Sequence, residues 1–95
     1  MYDIVYQNSA VKDFKSIDKA QHSFLTDSLF EFAKNFSHGY EQELMKMGRI
    51  KKMKGRYEEL YRLRLRSYRV IYKKEENRLI ILVLSIKSRE NSYKK

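Results

Sequence analysis

Tyr61-Arg62-Leu63-Arg64-Leu65-Arg66-Ser67-Tyr68-Arg69-Val70-Ile71-Tyr72 is the stretch that decides how this chain folds. In a strand successive side chains point to opposite faces. The spacing therefore predicts Tyr61, Leu63 and Leu65 on one face and Arg62, Arg64 and Arg66 on the other. After Ser67 the chain turns back into a second strand from Tyr68. The apolar side can be buried. Three like charges side by side repel one another, so the other side is tolerable only in water or against a polyanion, and nucleic acid is the first candidate.

Working outward, the sequence predicts strands over Glu59 to Arg66, Tyr68 to Lys74 and Leu79 to Ile86. The last reads Leu-Ile-Ile-Leu-Val-Leu-Ser-Ile. Being apolar on both faces, it is expected as a central strand covered on two sides, reached through a Glu75-Glu76-Asn77-Arg78 turn. Upstream, Tyr2 to Tyr6 reads as a short opening strand. Ser9 is placed to cap a helix carrying Ala10, Val11, Phe14 and Ile17. Asp18 and Gln21, three residues apart, form a capping-box pattern for a second helix. In that helix Ala20, Phe24, Leu25, Leu29, Phe32, Ala33 and Phe36 make one apolar stripe, the face expected to lie on a sheet. Ser37-His38-Gly39 is read as its end, with Gly39 in the left-handed conformation. Tyr40 to Gly55, interrupted by Gly48 and crowded with Arg49, Lys51, Lys52 and Lys54, is read as a loop with a helical turn.

This order, one strand, two helices and three strands, predicts an α+β fold in which two helices cover one face of a small antiparallel sheet. The other face is left free for function. With 95 residues and 42% hydrophobic content, residues 1–95 suffice for a single domain with one core. No stretch approaches the roughly 18 to 20 apolar residues that cross a membrane, and no basic-then-apolar leader opens the chain, so the expectation is a cytoplasmic protein. The chain has no cysteine, and its two histidines, His22 and His38, lack ligand spacing; neither a metal nor a cofactor is expected.

The formal charge of +9 is unevenly spread. Residues 1–48 hold five lysines and seven acids, net −2, while residues 49–95 hold 16 bases and five acids, net +11, including every arginine. Arginine presents a planar fork of donors that fits phosphate better than a lysine point charge does. A basic nucleic-acid-binding module is one function consistent with this segregation.

A more specific reading comes from an ordered set of residues: Met53-Lys54-Gly55, then Tyr61-Arg62-Leu63-Arg64 leading to Tyr68-Arg69-Val70-Ile71-Tyr72, then an apolar strand closed by Ser88-Arg89 and Tyr93. The set resembles the RelE/ParE superfamily of bacterial toxins. The resemblance implies a RelE-like βααβββ fold and a toxin of a type II toxin-antitoxin pair, neutralised by a cognate antitoxin whose extended segment wraps around it. In the RelE branch the toxin is a metal-independent mRNA interferase, an endoribonuclease that cleaves messenger RNA at the ribosome. In the ParE branch a similar fold inhibits DNA gyrase.

The RelE chemistry needs a base for the ribose 2′-hydroxyl, cations for the pentavalent phosphate and an acid for the leaving oxygen. By resemblance Arg69 and Arg89 are phosphate-stabilising, and Tyr93 orients or stacks on substrate. Arg62 and Arg64 stand where the best-known relative has two lysines, one or both used in proton transfer. Arginine is effectively never deprotonated, so here they are expected to hold RNA, together with Arg66, Lys52 and Lys54. The base is left open among Lys87, Glu58 and Glu59. An acidic antitoxin is expected on physical grounds as well, since a sheet face loaded with arginine suits an acidic partner segment.

Overall fold

The computed structural model describes residues 1–54 and 59–88. Along the chain run β1 (Asp3–Tyr6), α1 (Asn8–Lys15), α2 (Lys19–Lys34), α3 (His38–Lys46), β2 (Ile50–Met53), β3 (Leu60–Leu65), β4 (Tyr68–Glu75) and β5 (Ile80–Ser88). The five strands form one sheet in the order β1-β5-β4-β3-β2. β3, β4 and β5 pair antiparallel, as expected, and β2, which lies in the segment read as a loop, adds to β3 antiparallel. β1 adds to β5 in parallel, which makes the sheet mixed.

Alternation decides which face is buried. Tyr61, Leu63 and Leu65 of β3 stand opposite Tyr72, Val70 and Tyr68 of β4. All but the half-buried Tyr68 join Leu25, Leu29, Phe32, Ala33 and Phe36 of the α2 segment in one core. Burying a side chain of this size is worth about 1.5–3 kcal/mol, so this layer dominates the fold's stability. Its centre is aromatic: Tyr72 stacks on Tyr61 at 5.4 Å and meets Phe32 edge-on at 5.3 Å. Ala20, counted in the stripe, is exposed, and Phe24 is only partly buried.

β5 is central by its pairing with β1 and β4, yet only Ile81, Val83 and Ile86 are buried. Ile80, Leu82 and Leu84 remain half-exposed, so the expected cover on both faces is present on one. A bulge skips Leu84, so that Tyr72 faces Val83 while Ile71 faces Ser85. The extra residue reverses the parity of the strand and turns Lys87 to the open face beside Arg69. Where β1 ends, α1 takes over the edge of β5. Ser9 Oγ donates to the Leu84 carbonyl, and Asp13 Oδ2 accepts the Ile86 N–H at 2.8 Å. Ser9 is therefore a sheet contact, and Gln7 is the N-cap of α1.

The segment read as a loop contains α3 and β2. Ser37 does not end α2 but caps α3, its Oγ accepting from Tyr40 N at 3.1 Å, and Gly39 lies in the first turn. Gly48 is the left-handed residue, with φ +76°. Its N–H donates to Met45 O and the Arg49 N–H to Leu44 O, the paired bonds of a Schellman closure that turns the chain into β2. Asp18 caps α2 as the sequence predicts, accepting from Gln21 N at 3.0 Å. No helix among the described residues is long and apolar enough to cross a membrane.

Candidate nucleic-acid interface

The face opposite the helices carries the charge in register. Arg64 stands directly across from Arg69, and Arg69 from Lys87. On the other side the Arg64 N–H donates to Arg49 O at 2.9 Å, extending the β2–β3 pairing by one residue. Arg49, Arg64, Arg69 and Lys87 thus form one row across four strands, about 14 Å wide at the usual ~4.8 Å strand spacing. In the next row Lys51 faces Arg62, which faces Ile71.

These rows floor a concavity of about 390 Å³ lined by Arg49, Lys51, Arg62, Arg64, Arg66 and Arg69, with Gly48, Ser67 and Tyr68. Among the described residues no acidic side chain lines it. Among the described residues, Arg49, Lys51, Arg62, Arg64 and Arg69 make no ion pair. Like charges directly opposite on a sheet destabilise it by a few tenths to about 1 kcal/mol per pair, so the arrangement is one that a polyanion would relieve.

Matched against models of protein families, residues 4–93 fit the ParE toxin of type II toxin-antitoxin systems, parDE. The chain belongs to that family. Among solved structures, it superposes on the archaeal RelE-RelB complex from Pyrococcus horikoshii OT3 with a TM-score of 0.67 at 24% identity, covering 93% of this chain and 94% of that one. The intact RelBE toxin-antitoxin complex of E. coli gives 0.66 at 19% identity, over 93% and 96%. The RelBE2 complex of Mycobacterium tuberculosis gives 0.68 at 13%, over 93% and 91%. At these identities the likeness establishes a shared RelE/ParE fold. The comparison with curated proteins gave no match.

In this toxin the structure brings Arg62, Arg64 and Arg69 together, and adds Arg49 and Lys51, which sequence reasoning left out of the site. Alternation was the available signal, since Arg49 and Lys51 share the parity that pairs with Arg64 and Arg62, but it is usable only once β2 is known to be a strand. Lys52 has the wrong parity: it stands opposite the buried Tyr61, and its ammonium lies 3.4 Å from Glu59 Oε2. Lys54 follows β2, exposed and outside the concavity. Arg66 is a turn residue, not a third rung. With φ 56° it leaves the ladder, lays its guanidinium 3.6 Å from the centre of the Phe24 ring and donates to Gln21 Oε1 at 3.3 Å. Lys87 keeps its place in the row, but its Nζ lies 3.0 Å from Asp13 Oδ1 on α1. Glu59, one of the three groups considered as base, is held between Lys52 and the Tyr61 hydroxyl, outside the concavity. Glu58, Arg89 and Tyr93 lie outside the described residues.

Behind the sheet is a polar cluster that the sequence did not signal. Glu41 of α3, 1% exposed, accepts from the Tyr72 hydroxyl at 2.6 Å and from Lys74 Nζ at 2.9 Å, and Lys74 sits 4.5 Å over the Tyr61 ring. Burial, then the hydrogen bond to Glu41 and its negative charge, push the Tyr72 phenol far above its ordinary range. For Lys74 burial acts first and downward, yet the hydrogen bond and charge of Glu41, with Tyr61, outweigh it and leave the ammonium raised. Charge on Lys74 is thus spent inside the fold. Among the described residues no three histidine or acidic side chains converge as metal ligands would.

Proposed function

We propose that this toxin is a metal-independent mRNA interferase, a ribosome-associated endoribonuclease that inhibits translation and is neutralised by a cognate acidic antitoxin. The observation that carries the reading is the Arg49–Arg64–Arg69 row, three guanidinium groups in one concavity with no acid beside them among the described residues. Such a row suits a phosphodiester. Guanidinium forks bind phosphate oxygens in pairs, and cations fixed where negative charge grows on the pentavalent phosphate lower the barrier without reorganisation. Arg62 and Arg64 hold the chain, Arg69 faces the reacting phosphate, and Arg89 and Tyr93 are assigned by resemblance. The ribosome supplies positioning, which relaxes the demand on the protein's own acid–base groups.

The same uncompensated face is suited to an acidic antitoxin segment, and the structures it superposes on from P. horikoshii and E. coli are themselves complexes of RelE with RelB. Two observations favour a second reading, inhibition of gyrase: the matching family is the ParE toxin, and among the described residues the concavity offers no carboxylate or imidazole as base. Primer extension on a reporter messenger RNA after brief induction separates the two, with a gyrase supercoiling assay run beside it. Cuts in translated RNA that vanish in Arg69→Ala are the expected result. Intact RNA with inhibited supercoiling would overturn it.

A further inference from the structure

Arginine can bind the phosphate of the proposed reaction but cannot hand a proton to the oxygen that leaves. Its guanidinium holds its protons throughout the accessible pH range. Of the side chains lining the concavity, Arg49, Arg62, Arg64 and Arg69 are excluded on that ground, and Arg66 is turned onto Phe24. Tyr68 stands opposite the buried Leu65 and packs against the core, so its ring belongs to the helix side of the sheet. Lys87 is held by Asp13. Ser67 offers only a hydroxyl, a far weaker acid than an ammonium. What remains among the described residues is Lys51: it is exposed, is in no ion pair among them, and stands opposite Arg62 on the open face. It lies two residues along the chain from Arg49, hence about 7 Å along the strand direction from the arginine row, on the same side of the sheet. A phosphate held by that row is within range of a flexible four-carbon stem.

We propose that Lys51 is the general acid of this cleft, an inference that rests on the nuclease reading above. The 2′-oxygen attacks phosphorus and its proton passes to water, as the bond from phosphorus to the 5′-oxygen breaks. That oxygen takes a proton from the Lys51 ammonium. The products are a 2′,3′-cyclic phosphate and a 5′-hydroxyl end, and the lysine amine regains its proton from water. An acid needs only the ammonium that lysine ordinarily carries at neutral pH, whereas a lysine base must first be stripped of its proton. The cleft therefore needs no perturbed group to supply this half of the proton transfer.

The test uses synthetic messenger RNAs bound to ribosomes, with the bond mapped by primer extension carrying either its ordinary 5′-oxygen or a bridging sulfur. Sulfur leaves as a thiolate and needs no acid. Lys51→Met and Lys51→Arg are each expected to slow single-turnover cleavage of the oxygen substrate by about 10²–10⁴-fold, the usual worth of general acid catalysis. Both are expected to cut the sulfur substrate within a few-fold of the unmodified toxin. Lys51→Arg keeps the positive charge, so its failure on oxygen with recovery on sulfur separates proton donation from phosphate binding. Either variant cutting the oxygen substrate at full rate, or remaining as slow on sulfur, overturns the role of Lys51. An unmodified toxin that cuts neither substrate overturns the nuclease reading itself.

Discussion

Arg64 and Arg69 stand directly opposite one another on β3 and β4, and among the described residues neither has a carboxylate partner. A cross-strand pair of like charges opposes folding, so this toxin gives up stability at the place where it is proposed to bind RNA. Arg69→Thr is expected to raise unfolding free energy by about 0.2–1 kcal/mol, because it removes the repulsion and introduces a good strand former. The same variant is expected to lose growth arrest. Urea unfolding at low and high salt checks the cause, since salt that screens the repulsion should shrink the difference between the two proteins.

Arg66 makes the opposite prediction. Its positive φ is a region that non-glycine residues occupy at a cost of about 1–3 kcal/mol, while stacking on Phe24 returns about 0.5–1 kcal/mol. Arg66→Ala keeps the backbone cost and loses the stack, so it should be less stable than Arg66→Gly, which relieves the backbone. Both are expected to weaken RNA binding less than Arg64→Ala. Melting curves paired with filter-binding titrations give the two orderings; an RNA affinity as dependent on Arg66 as on Arg64 would return it to the cationic row.

The Glu41 cluster sets the response to alkali. Tyr72 and Lys74 both have folded-state proton affinities raised above their ordinary values of 10.0 and 10.5. Their contribution is complete below about pH 10 and is lost as pH rises beyond it, where the unfolded chain releases protons that the folded chain keeps. Stability is therefore expected to fall between pH 10 and 12, and to fall less steeply in Tyr72→Phe. Glu41→Ala removes the buried acceptor of both Tyr72 and Lys74, leaving Lys74, among the described residues, only the exposed Glu76 at 3.9 Å, and is expected to cost about 2–4 kcal/mol at pH 7. Denaturant titrations across that range read both effects.

Tyr6 offers a stabilising change. Its hydroxyl is buried with no hydrogen-bond partner among the described residues, and burial pushes the phenol up. Its ring packs edge-on against Phe14 at 5.3 Å, a contact that phenylalanine keeps. Tyr6→Phe is expected to leave stability unchanged or raise it by up to about 1 kcal/mol. A loss of more than about 1 kcal/mol in urea unfolding would mean that the hydroxyl is satisfied in solution.

Two elements escaped the sequence for a physical reason. Glu41 is the buried residue of α3, a carboxylate where an apolar anchor would ordinarily show a helical period. β2 is four residues long with only Ile50 buried. Neither carries enough hydrophobic pattern to be seen alone; α3 is held by a polar anchor in the sheet, and β2 exists through its hydrogen bonds to β3.

From its residues alone the chain determined that Tyr61, Leu63 and Leu65 would face the core and that a helix stripe including Leu25, Leu29 and Phe32 would lie on the sheet, because burial follows local periods of 2 and 3.6. The same alternation put Arg62 and Arg64 on the opposite side, together with Arg66, which the turn removes. Tertiary structure decided which cations share that face as a site. Register across β2 brought in Arg49 and Lys51 and sent Lys52 to Glu59, the turn carried Arg66 to Phe24, and the β5 bulge placed Lys87 where Asp13 could reach it. Each of these depends on a partner distant in the chain, and the spacing of charges along a single strand carries no record of it.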